Sequence, residues 1–100
     1  MIKIVYKKPN EKPYITEVEN DLKVFQELVG GYIEIIPAND DRSILMIVNE
    51  EGRRENLKNN ILWMDQVSIV GNVVFIRNGD DGEFHSLTDD MAGAIIRVLG

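Results

Sequence analysis

Two unbroken apolar runs constrain this chain more than any other feature: Ile44-Leu45-Met46-Ile47-Val48 and Val73-Val74-Phe75-Ile76. Each is far shorter than the about 20 apolar residues that cross a bilayer. Each is rich in β-branched side chains, too short for a helix, and bounded by turn residues: Asn39-Asp40-Asp41 and Asn49-Glu50-Glu51-Gly52 around the first, Gly71-Asn72 and Asn78-Gly79-Asp80-Asp81-Gly82 around the second. Successive side chains of a strand point to opposite faces. A run that is apolar at every position therefore reads as an inner strand buried on both faces. The chain must build a sheet with these strands in its interior.

The remaining segments supply the rest of that sheet and two helices. Ile2, Ile4 and Tyr6 alternate with Lys3, Val5 and Lys7, which predicts a strand ending at the Lys8-Pro9-Asn10 turn. Tyr14 to Val18 predicts a second strand in a hairpin with the first. Asn20 suits a helix N-cap, and Leu22, Phe25, Leu28 and Val29 follow at helical spacing until Gly30-Gly31. Tyr32 to Ile36 reads as a strand stopped by Pro37. Arg53 to Asn60 reads as an ordered polar loop, and Ile61 to Ile69 is mixed, with Trp63 and Met64 suited to burial. Phe84 and His85 begin a short strand or lead into a last helix. That helix has Thr88 as N-cap, Asp89 and Asp90 in the first turn, Leu87 stapled on Ala92, and Arg97 near its C-terminal end. Met91, Ala94 or Ile95, and Val98 form its predicted buried stripe. The order predicts one α+β domain over residues 1–100, a mostly antiparallel sheet of about five or six strands with two helices packed on one face.

Charge and cysteine content narrow the function classes. Lys and Arg number 11 against 17 Asp and Glu, a net charge of −6. Only Lys7-Lys8 and Arg53-Arg54 are basic pairs, so the chain lacks the clustered cations that neutralise duplex phosphates. An acidic surface that imitates DNA stays open. No cysteine is present, which removes disulfides, thiolate metal sites and cysteine nucleophiles. The segment Met1 to Lys8 has no apolar stretch of the length of a secretory signal, and the expected location is the cytoplasm.

Several polar groupings read as local structure. His85, Ser86, Thr88, Asp89 and Asp90 fit helix capping better than a catalytic triad, because no Gly-x-Ser-x-Gly elbow accompanies them. The acidic turns Asn39-Asp40-Asp41 and Asp80-Asp81-Gly82-Glu83 lack the alternating ligand spacing of a calcium loop. Glu50 and Glu51 are adjacent, and neighbouring side chains at a strand end diverge. The segment from Asn49 to Trp63 stands apart. Arginines grip phosphate in a bidentate way, amides read a base or ribose, and an indole stacks. Asn49, Gly52, Arg53, Arg54, Asn60 and Trp63 are thus the candidate ligand-binding residues, with no catalytic and no metal-ligating set.

Three stretches together resemble the DUF3846 family, small proteins of bacteriophages and Firmicute mobile elements whose function is undefined. They are Leu28-Val29-Gly30-Gly31-Tyr32-Ile33-Glu34, Asn49-Glu50-Glu51-Gly52 and Ser86-Leu87-Thr88-Asp89, and the resemblance spans nearly the whole chain. Leu57 and Asn60 match a leucine and an asparagine that follow the Asn-Glu-Glu-Gly turn in that family. The chain departs from the pattern at Lys58-Asn59, where the family often has prolines, and at Ile61, where it has a basic residue. If that basic residue grips an anion, Arg53 or Arg54 must substitute here. The resemblance implies a phage or mobile-element accessory protein that acts against a host system. The leading expectation is a non-enzymatic, counter-defence binding protein in the host bacterial cytoplasm that sequesters a small anionic, nucleotide-derived ligand. It would need no cofactor, bind no membrane, and assemble as a homo-oligomer, since a small domain encloses a ligand most readily between subunits. An acidic protein-protein inhibitor of a host protein is the alternative, and a metal-dependent phosphoesterase at the acidic turns is a third.

Overall fold

Both apolar runs become inner strands. The computed structural model describes residues 1–100 and contains, in order, β1 (Ile2–Lys7), β2 (Tyr14–Val18), α1 (Leu22–Val29), β3 (Ile33–Pro37), β4 (Ile44–Asn49), β5 (Asn59–Trp63), β6 (Val67–Val70), β7 (Val73–Asn78), β8 (Phe84–His85) and α2 (Asp89–Leu99). Six strands form one sheet in the order β2-β1-β7-β4-β3, with β8 paired to the end of β7. Every pairing in it is antiparallel. β5 and β6 form a separate two-stranded ribbon, antiparallel as well. The architecture is α+β with a mostly antiparallel sheet, as the sequence indicated.

The two faces of the sheet carry two separate cores. On one face Ile4, Tyr6, Leu45, Ile47, Val74 and Ile76 pack against Phe25 and Val29 of α1. On the other, Val5, Met46, Val48, Val73 and Phe75 pack against Ala92 and Ile95 of α2 and against Trp63 and Ile69 of the ribbon. The helices therefore lie on opposite faces, not on one. The reason is physical: strands apolar on both faces need cover on both. α1 closes one face, and α2 and the ribbon share the other. The buried stripe of α2 follows from this seat. It runs through Met91, Ala92, Ile95, Ile96 and Leu99, while Val98 stays 56% exposed.

Local chemistry sets the element ends. Asp21, one residue after the expected Asn20, caps α1: its carboxylate accepts the Lys23 N–H at 2.9 Å. Asn20 donates instead to the Phe84 carbonyl at 3.0 Å. Gly30 closes α1 in the left-handed region, at φ 80°. Thr88 caps α2 by accepting the Met91 N–H at 3.1 Å. The mixed segment Ile61–Ile69 is the ribbon hairpin. Its turn places Met64 and Asp65 at φ 52° and 58°, with the Gln66 N–H donating to the Trp63 carbonyl at 3.0 Å. Positive φ at both central residues is the type I′ pattern, which favours Asn-Gly.

Replacing Met64-Asp65 by Asn-Gly should relieve left-handed strain worth about 1–2 kcal/mol per residue. Calorimetry should show a rise in Tm of about 4–8 °C for each kcal/mol recovered. Tyr6 donates to the Leu28 carbonyl and accepts from Asn72 Nδ2, tying β1 to the end of α1. Burial pushes its phenol pKa above the ordinary 10.0. A raised folded-state pKa means stability that is complete below about 10 and lost as pH rises through the folded value. Tyr6→Phe should cost about 1 kcal/mol at neutral pH. It should also flatten the alkaline limb of a denaturant-midpoint profile.

Candidate functional site

The chain leaves β4 through Asn49, whose buried side chain shapes everything up to Leu57. Its Oδ1 accepts the Glu51 N–H at 2.7 Å, and its Nδ2 donates to the Val29 carbonyl and to Glu55 Oε1, each at 3.2 Å. One amide thus joins the end of α1, the end of β4 and the loop. Gly52 then lies flat on the ribbon, where a Cβ would meet Val70 Cγ2 at 2.9 Å. Only glycine lets the loop approach β6 this closely. The Leu57 N–H donates back to the Gly52 carbonyl at 3.0 Å, which closes the turn.

This arrangement sends Arg53 and Arg54 outward. Arg53 Nη2 donates to the Ser68 carbonyl of β6 at 2.8 Å. Arg54 Nη1 sits 3.0 Å from Glu51 Oε2 in an exposed pair. Between the β3–β4 side of the main sheet and the ribbon runs a groove of about 540 Å³. Ile36, Val48, Val67 and Ile69 give it apolar walls, and Glu34, Glu50, Glu51, Arg53 and Arg54 line it with charges of both signs. Asn49 and Gly52 also line it, so four of the six expected residues meet here.

Asn60 and Trp63 lie elsewhere. Asn60 Nδ2 donates to the Lys7 carbonyl at 2.9 Å and the Gly71 carbonyl at 2.7 Å, and its Oδ1 accepts from Lys7 Nζ at 2.9 Å. It fastens the ribbon to the end of β1. Lys7 is itself buried, and burial holds its ammonium pKa below the usual value. Trp63 is core: its Nε1 donates to the Ala38 carbonyl at 2.8 Å, and its ring centroid is 4.8 Å from that of Phe75. Its face is not free to stack on a ligand. Conversely, Glu34, Gln66 and Ser68, none of them among the six expected residues, also line the groove. The signal for Glu34 was present, because alternation in Tyr32–Ile36 puts Glu34 and Ile36 on one face.

The other polar groupings build turns. Asp41 accepts the Ser43 N–H at 3.0 Å, and hydrogen bonding to Ser43 lowers its carboxyl pKa. Asp81 accepts the Glu83 N–H at 3.0 Å and faces His85 Nε2 at 3.0 Å, and these contacts lower its pKa in that order of weight. Ser86 Oγ is occupied by the Lys3 N–H at 2.9 Å. Nowhere do three or more His, Asp or Glu side chains converge in a way that would hold a metal ion. No helix is long and apolar enough to cross a membrane.

The profile of DUF3846, a domain of unknown function, matches residues 2–100. No curated protein and no solved structure matches the chain.

The geometry separates bracing residues from exposed ones. Asn60→Ala leaves two carbonyls and the Lys7 ammonium short of a partner. It should destabilise by about 2–4 kcal/mol, since each buried group left unpaired costs about 1–3 kcal/mol. Arg54→Ala, at an exposed pair, should change stability by less than about 1 kcal/mol. Urea denaturation of the two variants tests the contrast.

Proposed function

The chain belongs to the DUF3846 family, which carries no assigned activity, and we propose from its own groove that it is a non-enzymatic binding protein for a small anionic, nucleotide-derived ligand. The observation that carries this reading is the groove's composition. Apolar walls, two arginines and several glutamates are combined in about 540 Å³. That volume is within the range of ordinary ligand pockets. A bare phosphate would meet as much repulsion as attraction there. A nucleotide offers each part of the site a match. Its phosphate suits the guanidinium groups of Arg53 and Arg54, because Arg53 uses one N–H on Ser68 and has others to give. Its flat base suits the walls of Ile36, Val48, Val67 and Ile69. Its hydroxyls and exocyclic amines suit Glu34 and Glu50 as acceptors. Sequestration of such a signal in a host cytoplasm is the role this reading gives to a phage or mobile-element accessory protein.

The net charge of −6 favours a second reading, an acidic inhibitor that engages a basic host protein. One experiment separates the two. Thermal unfolding is followed against cyclic dinucleotides, cyclic ADP-ribose, NAD, AMP and inorganic phosphate. A ligand at 100 times its Kd stabilises by about 2.7 kcal/mol, which for this size is a shift of about 10 °C or more. The expected outcome is a responder among the nucleotides, none with phosphate, and loss of the shift in Arg53→Ala/Arg54→Ala. A shift that survives the double variant would sink the groove assignment. A flat panel, with binding to a basic protein that weakens steeply as salt rises, would favour the inhibitor.

A further inference from the structure

β3 ends the sheet with one edge unpaired. Its hydrogen-bond parity is fixed at both ends. The Glu50 N–H donates to the Tyr32 carbonyl at 2.8 Å, and the Ala38 N–H donates to the Ile44 carbonyl at 2.8 Å. On the other side of β4 the Asn78 N–H donates to the Ser43 carbonyl at 2.9 Å, which agrees with that parity. Bonded and non-bonded pairs alternate along an antiparallel ladder. Tyr32, Glu34, Ile36 and Ala38 thus turn their backbone groups toward β4, and Ile33, Ile35 and Pro37 turn theirs to the open edge. The edge presents two N–H donors, from Ile33 and Ile35, and three carbonyls. Pro37 adds no donor. The side chains beside it are apolar and open: Ile35 is 46% and Tyr32 is 71% exposed. An edge of this kind is a template for another strand.

We propose that β3 is the interface of a homodimer, pairing antiparallel with β3 of a second copy about a two-fold axis at Ile35. The choice of occupant rests on self-complementarity. With the axis at Ile35, the two Ile35 residues exchange N–H···O=C bonds, and each Ile33 N–H meets the Pro37 carbonyl of the other copy. Every outward donor is used, and the missing donor of Pro37 falls where the ladder ends. Ile35 opposes Ile35, and Glu34 opposes Ile36. An axis at Glu34 would also use the donors but set two glutamates directly opposite, which is destabilising. An axis at Ile36 would leave the Ile33 donors without a strand partner. The dimer turns six strands into a continuous sheet across two copies. It sets the two grooves side by side, since Glu34 and Ile36 line each one. It stands whether or not the groove binds a nucleotide.

The test is sedimentation equilibrium across a wide concentration range, paired with hydrogen exchange on the intact chain. The expected species has about twice the 11.4 kDa chain mass. Its Ile33 and Ile35 amides should become protected as concentration rises. Each copy carries a charge of −6, so added salt should tighten the dimer. Ile35→Pro deletes a donor that β4 does not use, and Ile35→Lys sets like charges face to face. Each should weaken dimerisation tenfold or more, because about 1.4 kcal/mol is a factor of ten. Ile15→Lys, at a position 48% exposed on the opposite edge, should leave it unchanged. A chain that stays monomeric throughout overturns the proposal. So does a dimer whose Ile33 and Ile35 amides exchange freely, or one that survives both Ile35 substitutions. Should either variant fail to fold by circular dichroism, amide protection in the unaltered chain decides alone.

Discussion

The structure depends on β7 being buried on both faces. Val73, Val74, Phe75 and Ile76 are each 0% exposed, and alternation sends them to two different cores. Full burial of such side chains contributes about 1.5–3 kcal/mol each. That stabilisation exists only if both faces are covered. α1 is eight residues long and serves one face. α2 packs on the other together with Trp63 and Ile69, so the ribbon completes a core before it does anything else. The groove results from this division of labour. A two-stranded ribbon laid on a broader sheet meets it closely at Trp63 and Phe75 and leaves space nearer β3.

Polar side chains hold these layers in place. Asn49, Asn60, Asn72 and the Trp63 indole all donate to backbone carbonyls across element boundaries. No buried side-chain polar atom lacks a partner. That is the condition under which a buried polar group stabilises rather than costs. It also explains why a loop rich in amides and arginine is an ambiguous sign of ligand binding. An amide that joins two strands and a turn has the same composition as one that reads a base, and only position tells them apart. Asn60 faces the end of β1, where Lys7 and two carbonyls use it fully. Arg53 and Arg54 face the groove, with donors left over.

Much of this was legible in the sequence, and the failures have specific causes. The strands at Tyr14–Val18 and Val73–Ile76, the Gly30 stop and the Thr88 cap are local decisions made by alternation, backbone freedom and hydrogen bonding. Element order alone does not say which face each helix covers, although runs apolar on both faces call for cover on each side. Helical spacing alone does not say which rotation of α2 meets the sheet, so it does not separate exposed Val98 from the buried stripe. The Ile61–Ile69 segment was opaque for another reason: Met64 and Asp65 occupy a type I′ turn that carries no glycine, so its usual signal is missing. Trp63 was half legible. Its need for burial was clear, but its Ala38 partner lies 25 positions away. The groove was the least legible, because Glu34, Ile36 and Gln66 through Ser68 meet only once the ribbon has folded back.

The two groove arginines are unequal, and the difference bears on the proposed role of the groove. Arg53 reaches across to the Ser68 carbonyl and so braces the loop against β6, while Arg54 touches only Glu51, on its own turn. Arg53 is therefore already oriented, and a ligand that takes its remaining donors spends little side-chain entropy. Arg54 is exposed and would have to exchange the Glu51 carboxylate for another anion, a nearly balanced step in water. On the proposed reading, affinity would come chiefly from Arg53 and the apolar walls. Discrimination would come from the glutamates, which would repel any anion that brings no donors of its own. A groove built this way would favour molecules that carry both signs of polarity, which is why its acidic rim is no argument against the proposed nucleotide.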